Sequence, residues 1–313
     1  MKILITGGAG FIGSNLAKYL LNKSHDLIII DNLSTGKMSN IDSIKDSIHF
    51  FNSDIENFDF NRVDDVDAVF HLAAQASVPL SITNFEQSSS SNILSSIKVM
   101  NFCAQKDIPF IYASSSAIYG ELDIGNDKSH EIDLLSPYAA DKYCMEVYAE
   151  VCHKLFNLRS MGLRFFNVYG PDQDPHSPYS GVISIFIEKL INNNPITVYG
   201  GHQSRDFVYV DDVIECLYES IQVLKDSCIF ETVNVLSGKS VTINNLVDII
   251  SKNLKIDPKI EYLPMPLGDP EKSDGTYNKM SYLFRKSVED FTSIDKGLDK
   301  TILHIKHLTQ ESL

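Results

Sequence analysis

The chain has 313 residues, enough for two lobes and a large core, and its 43% hydrophobic and 22% charged content is that of an ordinary soluble globular protein. A formal net charge of −14 argues against nucleic acid or an anionic membrane surface as the main partner, while leaving room for a nucleotide held in a local site. The cysteines Cys103, Cys144, Cys152, Cys216 and Cys228 are scattered and show no CxxC spacing, which suits free thiols in a reducing cytoplasm and argues against a disulfide frame or a zinc site. No stretch reads as a secretory signal, and no apolar run is long enough to span a membrane.

Residues 2–6 read as a short apolar strand, followed at once by Gly7-Gly-Ala-Gly10-Phe11-Ile12-Gly13. A helical pattern (Phe11, Ile12, Leu16, Tyr19, Leu20) comes next, then a second apolar strand, Leu27–Ile30, closing on Asp31. Glycines in such a turn let it bend tightly and let backbone amides approach a pyrophosphate at the helix N-terminus. Asp31 stands where a carboxylate binds the ribose hydroxyls of NAD and repels the 2′-phosphate of NADP. The spacing is Gly-x-x-Gly-x-x-Gly rather than Gly-x-Gly-x-x-Gly, so the dinucleotide reading rests on the strand, the helix and the acid as much as on the glycines.

Further strand–helix units follow. A strand at 48–53 ends near Asp54 and Ile55, where an adenine is expected. Residues 67–74 read as a buried strand leading into a small-residue turn beneath the cofactor. Residues 87–105 read as one helix, with the cluster Ser88–Ser91 at its N-terminal region and an apolar period resuming at Ile93, Leu94, Ile97 and Met100. The next strand, 108–113, delivers Ser114, Ser115 and Ser116 at its C-terminal end, the edge where ligands gather in open α/β sheets. Ser136 is the expected N-cap and Pro137 the N1 residue of a helix running to about Leu155. That helix sets Tyr138 and Lys142 one turn apart on one face. An ammonium beside a phenol favours phenolate, lowering a pKa that is normally about 10. Tyr and Lys four apart recur in many helices; their place after a dinucleotide turn and a serine cluster marks this pair as catalytic.

A strand at 161–166 completes about 165 residues of strand–helix alternation, which predicts a Rossmann-type, doubly wound parallel sheet. Past Gly170 the character changes: Pro171, Pro175 and Pro178 mark a loop and the start of a smaller lobe. A helix is expected over 181–193, a strand over 196–199, a strand over 205–212 entering a helix at 213–224, a return to the main sheet at 233–235, and a helix over 246–254. Residues 262–270 read as a breaker-rich loop. The expected division is 1–170 for NAD and 171–313 for the substrate lobe, with the two interleaved.

The chain resembles the extended short-chain dehydrogenase/reductases, and within them the nucleotide-sugar 4-epimerases. The resemblance covers nearly the whole length through Thr6–Gly13, Asp31–Gly36, His71–Ala74, Ser114–Gly120, Tyr138–Lys142, Arg164–Pro171 and Arg205–Asp212. The stretch 173–181 looks most like bacterial UDP-hexose and UDP-N-acetylhexosamine 4-epimerases. The resemblance implies Tyr138 as catalytic base, Lys142 as its partner on the nicotinamide ribose, and Ser115 as the catalytic hydroxyl, four residues before Tyr119. It implies a cofactor set of Gly7, Gly10, Phe11, Ile12, Gly13, Asp31, Asn32, Ser34, Thr35, Gly36, Asp54, Ile55, Leu72, Ala73, Ala74 and Gln75. It implies a UDP-sugar set of Ser77, Ser115, Ser116, Asn167, Gly181, Val182, Thr197, Tyr199, Arg205, Asp269 and Ser273. In that set Arg205 holds a nucleotide phosphate, Asp269 the uridine ribose, and Ser273 occupies the position that gates sugar size.

Two departures carry information. The dehydratases place Asp and Glu after the catalytic hydroxyl; Ser116 and Ala117 stand there, which removes the acid–base pair for dehydration. The arginine usual three residues before Asp269 is replaced by Pro266, so phosphate binding leans on Arg205, backbone amides or another cation such as Lys272. The readings carried forward are a UDP-hexose 4-epimerase, a UDP-uronate or ADP-heptose epimerase on the same fold, and a non-catalytic NAD-binding scaffold. The helices at 86–105 and 138–155 resemble the pair that forms a four-helix dimer interface, so a homodimer is expected, with Met100, Cys103, Tyr148 and Val151 lining it or buried in the core.

Overall fold

The computed structural model describes residues 1–177, 180–266 and 268–311. Pro178 and Tyr179, in the loop expected after Gly170, and Leu267, in the loop expected over 262–270, lie outside the described residues. In chain order the elements are β1 (Lys2–Thr6), α1 (Phe11–Asn22), β2 (Asp26–Asp31), β3 (Ile48–Asn52), β4 (Ala68–His71), α2 (Val78–Thr83), α3 (Phe85–Ser89), a π-helical turn (Ser90–Leu94) and α4 (Ser95–Lys106). They continue with β5 (Phe110–Ser115), α5 (Pro137–Phe156), β6 (Ser160–Phe165), β7 (Asn167–Tyr169), α6 (Val182–Ile191), β8 (Ile196–Tyr199), β9 (Ser204–Tyr209) and α7 (Val210–Asp226). The last are β10 (Phe230–Val235), β11 (Ser240–Thr242), α8 (Ile243–Leu254), β12 (Ile260–Leu263), α9 (Asn278–Phe284) and α10 (Ile294–Glu311).

Two compact units emerge, each assembled from separate stretches of chain. Unit 1 comprises residues 1–118, 136–164 and 214–233; unit 2 comprises 119–135, 165–213 and 234–313. Unit 1 is built on a parallel sheet of strand order β10-β6-β5-β4-β1-β2-β3. A parallel sheet is covered on both faces, which is why its strands read as near-continuous apolar runs. The register brings Thr6 level with Ile30 of β2 and His71 of β4, and His71 level with Tyr112 of β5. The strand ends therefore form one edge, and the order reverses between β1 and β4, where ligands bind in such sheets. One core cluster joins Leu4, Val69 and Phe110 of the sheet to Val99, Met100 and Phe102 of α4 and Met145 and Ala149 of α5.

The helix expected over 87–105 runs from Phe85 to Lys106 through α3, the π-turn and α4, with Ser88–Ser91 in its first turns; the π-turn at 90–94 departs from the regular ladder without ending the helix. Hydroxyls explain part of this: Ser95 Oγ donates to Ser91 O and Ser96 Oγ to Asn92 O, both at 2.5 Å, and such back-bonds compete with the regular ladder. Met100 and Cys103 are 1% and 0% exposed in the core, so of the four residues expected at a dimer face only Tyr148 and Val151 are on the surface, at 42% and 43%. α5 is capped as its sequence dictates. Ser136 Oγ accepts from Ala139 N at 3.2 Å, Pro137 is the first residue, and Asn157 ends the helix at φ +56°.

Unit 2 holds a three-stranded sheet, β11-β9-β7, and a two-stranded parallel pair, β12-β8. Ile183, Phe186, Ile187 and Leu190 on α6 and Leu246, Val247 and Ile250 on α8 bury its apolar side.

Candidate active site

The strand-end edge of unit 1 gathers the expected cofactor residues. Gly7 has φ +72°, and a Cβ there would lie 2.6 Å from Ala73 N, so the turn after β1 and the loop after β4 meet backbone to backbone. A Cβ on Gly13 would lie 2.1 Å from Gly7 O, so only glycine lets α1 start against that turn. Gly10 is the N-cap residue of α1 and no side chain caps the helix, which leaves the amides around Phe11, Ile12 and Gly13 for an anion. Asp31 is 7% exposed; its Oδ2 accepts from Ala9 N at 2.9 Å and its Oδ1 from Leu33 N at 2.8 Å. Burial pushes its carboxyl above the usual range, and those two amides oppose the shift. A carboxylate has about four lone-pair sites, so acceptor positions remain for a ribose.

The rest of the expected set surrounds this turn. Gly36 lies against Asp31, while Ser34 and Thr35 are exposed. Asn32 Nδ2 donates to Asp54 Oδ1 at 2.5 Å and its Oδ1 accepts from Ser34 N at 3.0 Å. Ile55 packs in the core at 7% exposure. Leu72, Ala73, Ala74 and Gln75 are half-buried after β4. A cradle that a Cβ would fill, uncapped helix amides and an acid on the second strand together fit NAD.

The catalytic candidates converge on β5 and the first turns of α5. Ser115, 9% exposed at the end of β5, accepts at Oγ from Ala117 N at 3.1 Å, and its hydroxyl acts on the Tyr138 phenol to lower its pKa. Lys142 is 2% exposed, donates from Nζ to Ala113 O at 2.7 Å, and lies 5.8 Å from the Tyr138 ring centroid. Burial pulls Lys142 down to about 8, with Asp141 opposing. The phenol differs from expectation. Burial holds Tyr138 above its ordinary pKa, the Ser115 hydroxyl opposes this, and Asp141 adds to it. The Lys142 ammonium is engaged with Ala113 O, and the desolvation of the phenol dominates. Ser116, half-buried, is the next residue, and neither it nor Ala117 brings a carboxylate. Ser77, 4% exposed, is taken up as the N-cap of α2, accepting from Leu80 N at 3.2 Å.

Several polar residues around this cluster escaped the sequence reading. His71 Nδ1 lies 2.7 Å from Thr6 Oγ1 and Nε2 3.0 Å from Ser96 Oγ; burial, with Lys142 adding, holds its pKa down at about 3, so it is neutral. Glu146 forms a buried pair with Arg164, Nε to Oε1 at 2.9 Å and Nη2 to Oε2 at 2.7 Å, and Ser114 Oγ donates to Glu146 Oε1 at 2.5 Å. Glu146 and Lys142 thus pin two successive turns of α5 to the end of β5. The signal was available: Glu146 follows Tyr138 by eight residues and Lys142 by four, on the same helical face.

Unit 2 carries most of the expected substrate residues. Arg205 Nη2 donates to Asp269 Oδ1 at 2.5 Å and Nη1 to Ser204 O at 2.8 Å, so these two residues from distant parts of the sequence stand together. Asn167 Nδ2 donates to Asp206 O at 3.2 Å. Gly181 is the N-cap residue and Val182 the first residue of α6; Thr197 and the 48% exposed Tyr199 lie on β8. Ser273 is half-buried, its carbonyl accepting from Ser240 Oγ at 3.5 Å. Lys272 is exposed, 4.0 Å from Asp123. Among the described residues no group of His, Cys, Asp and Glu forms a metal site.

Comparison with known proteins agrees with this geometry. Residues 3–235 match the model of the NAD dependent epimerase/dehydratase family. A putative UDP-glucose 4-epimerase of Methanocaldococcus jannaschii is 39% identical over 259 residues, 80% of this chain and 82% of the relative. A UDP-N-acetylglucosamine 4-epimerase from Methanobrevibacter ruminantium M1, solved in complex with UDP-N-acetylmuramic acid, superposes with a TM-score of 0.91 at 36% identity over 99% of this chain and 98% of that one. The UDP-glucuronic acid 4-epimerase of Bacillus cereus, solved with UDP-glucuronic acid and NAD, gives 0.91 at 31% identity over 98% and 100%. The glycine turn with Asp31, the Ser115–Tyr138–Lys142 cluster and these likenesses place the chain in the NAD dependent epimerase/dehydratase family, among the UDP-sugar 4-epimerases, which are isomerases that use NAD.

Proposed function

We propose that the protein interconverts UDP-N-acetylglucosamine and UDP-N-acetylgalactosamine, and accepts UDP-glucose and UDP-galactose, through a transient 4-keto sugar. The observation that carries the chemistry is Lys142, buried 5.8 Å from the Tyr138 ring centroid, with the Ser115 hydroxyl acting on the same phenol. The substrate choice is supported by the small side chain of Ser273 and by the likeness to the Methanobrevibacter enzyme. Asp31 favours NAD over NADP by charge.

Tyr138 as phenolate takes the proton of the sugar 4-hydroxyl and returns it once the 4-keto sugar has turned about its phosphate linkage. Ser115 orients that proton through its hydroxyl, which acts on the phenol. Lys142, held by Ala113 O close to the phenol ring, is the buried cation nearest the phenolate that forms. When bound at the glycine turn and Asp31, NAD would supply reversible two-electron hydride chemistry at the sugar C4. Arg205 suits a diphosphate: a guanidinium has about five N–H donors, and those not used on Ser204 and Asp269 serve phosphate oxygens. Asp269 is assigned to the uridine ribose. Tyr138→Phe should abolish turnover while bound NAD is retained; undiminished turnover rejects the reading. A second reading, UDP-glucuronate 4-epimerisation, is favoured by the likeness to the Bacillus cereus enzyme and is separated by substrate assay.

The enzyme is assigned to the cytoplasm, which its free cysteines suit. Among the described residues no helix is long and apolar enough to cross a membrane. A homodimer is supported by the apolar stripe Val147, Tyr148, Val151 and Leu155, exposed along α5 at helical spacing. Sedimentation at the mass of one chain rejects it.

A further inference from the structure

Asp141 follows Tyr138 by three residues and directly precedes Lys142, and it is 2% exposed. A carboxylate at that burial is costly unless something compensates it. Its oxygen Oδ2 accepts from Asn92 Nδ2 at 2.9 Å. Asn92 is 1% exposed and sits in the π-turn. Its amide is clamped on a single residue: Oδ1 accepts from Gln75 N at 2.8 Å and Nδ2 donates to Gln75 O at 3.1 Å, which aims the remaining N–H at Asp141. Asn92 is thus the buried residue of a π-turn, a feature that recurs at functional sites. Gln75 also shapes the next residues, its Oε1 accepting from Ser77 N at 2.7 Å.

The charges around α5 fit this wiring. The hydrogen bond of Lys142 goes to a neutral carbonyl, Ala113 O, and that of Asp141 to a neutral amide. Adjacent helical residues do not face each other, so the two are not an ion pair. Asp141 nonetheless acts on Lys142, raising its pKa against the burial that lowers it. The ionisable groups that feel these two charges are Tyr138 and Cys144 on α5 and His71 on β4, while the π-turn's contact with Asp141 is the neutral Asn92.

We propose that Asp141 is a positioning residue of the catalytic centre: through the Asn92 amide it ties the cofactor loop at 72–77 to the first turns of α5, and its charge retains the Lys142 ammonium beside Tyr138. The inference rests on the reading of Tyr138 and Lys142 as the catalytic pair. It differs from a purely structural role in what it does to pH dependence. Removing a negative charge lowers the pKa of every group near it, so both limbs of the pH profile move the same way.

Asp141→Asn keeps the shape and an oxygen acceptor for Asn92 but removes the charge, and Asp141→Glu keeps the charge. Both are assayed as holoenzyme, beside Tyr138→Phe, on the nucleotide sugar that the wild type turns over best. The expected result is that D141N keeps its NAD while its kcat/KM profile moves to lower pH by about one unit on both limbs, and D141E moves back toward wild type. A lowered rate with unmoved limbs overturns the proposal. So does loss of folded, NAD-bearing protein in both variants, which makes Asp141 a folding residue. Full turnover by Tyr138→Phe instead sinks the underlying catalytic reading, so the two failures are distinct.

Discussion

His71 offers a test of the site's electrostatics that needs no substrate. Its ring lies at the end of β4 at 1% exposure, with both nitrogens in hydrogen bonds to Thr6 and Ser96. Burial, with Lys142 adding, lowers its pKa from 6.5 to about 3. Below pH 6.5 the unfolded chain takes up a proton that the folded chain refuses until about 3, so stability present at neutral pH is lost as pH falls through that window. Between pH 7.5 and pH 5 the loss is about 2 kcal/mol. Asp31 and Asp206, whose carboxyls burial pushes up, act in the opposite sense, so the total cannot be read from wild type alone. His71→Gln cannot titrate but still donates and accepts. Urea unfolding at both pH values, with NAD held at a fixed saturating concentration, should show the wild type losing about 2 kcal/mol more than the variant. Equal losses refute the buried neutral imidazole.

Other substitutions probe the two units separately. Gly13→Ala puts a methyl 2.1 Å from Gly7 O, and the purified protein should lose its NAD; a full complement by absorbance contradicts the cradle. Glu146→Ala removes the carboxylate between Arg164 and Ser114 and should cost about 3 to 5 kcal/mol in denaturant unfolding, the usual penalty for breaking a buried pair, whereas a change within error shows that the pair is not structural. Arg205→Lys keeps the charge but loses the fork, so KM for the nucleotide sugar should rise by about tenfold with kcat nearly unchanged. An equal fall in kcat instead places Arg205 in the chemistry.

Much of unit 1 was legible because its signals are local. The apolar run 2–6, the glycines of 7–13 and Asp31 are contiguous, and Ser136-Pro137 announces the start of α5. Ile55, expected near the adenine, packs in the core, and an apolar residue after a strand looks the same in sequence whether it faces a base or the core. The π-turn was hidden because hydroxyl back-bonds and an inward Asn92 leave the apolar period on either side intact. The phenol's elevated pKa was hidden for a different reason. Spacing gives proximity of Tyr138 and Lys142, but it says nothing of the desolvation that wins or of Ala113 O, which takes the ammonium. In unit 2, the meeting of Arg205 and Asp269 joins residues 64 positions apart, which no local pattern encodes.

The most direct test is of 4-epimerisation of a UDP-hexose by protein purified with its NAD. Purified enzyme is incubated with UDP-N-acetylglucosamine, UDP-glucose and UDP-glucuronate in separate tubes without added NAD, and the products are read by NMR. Conversion of UDP-N-acetylglucosamine to its 4-epimer, with UDP-glucose also accepted, is the result expected. Conversion of UDP-glucuronate alone, or of none of the three by NAD-bearing protein, contradicts it.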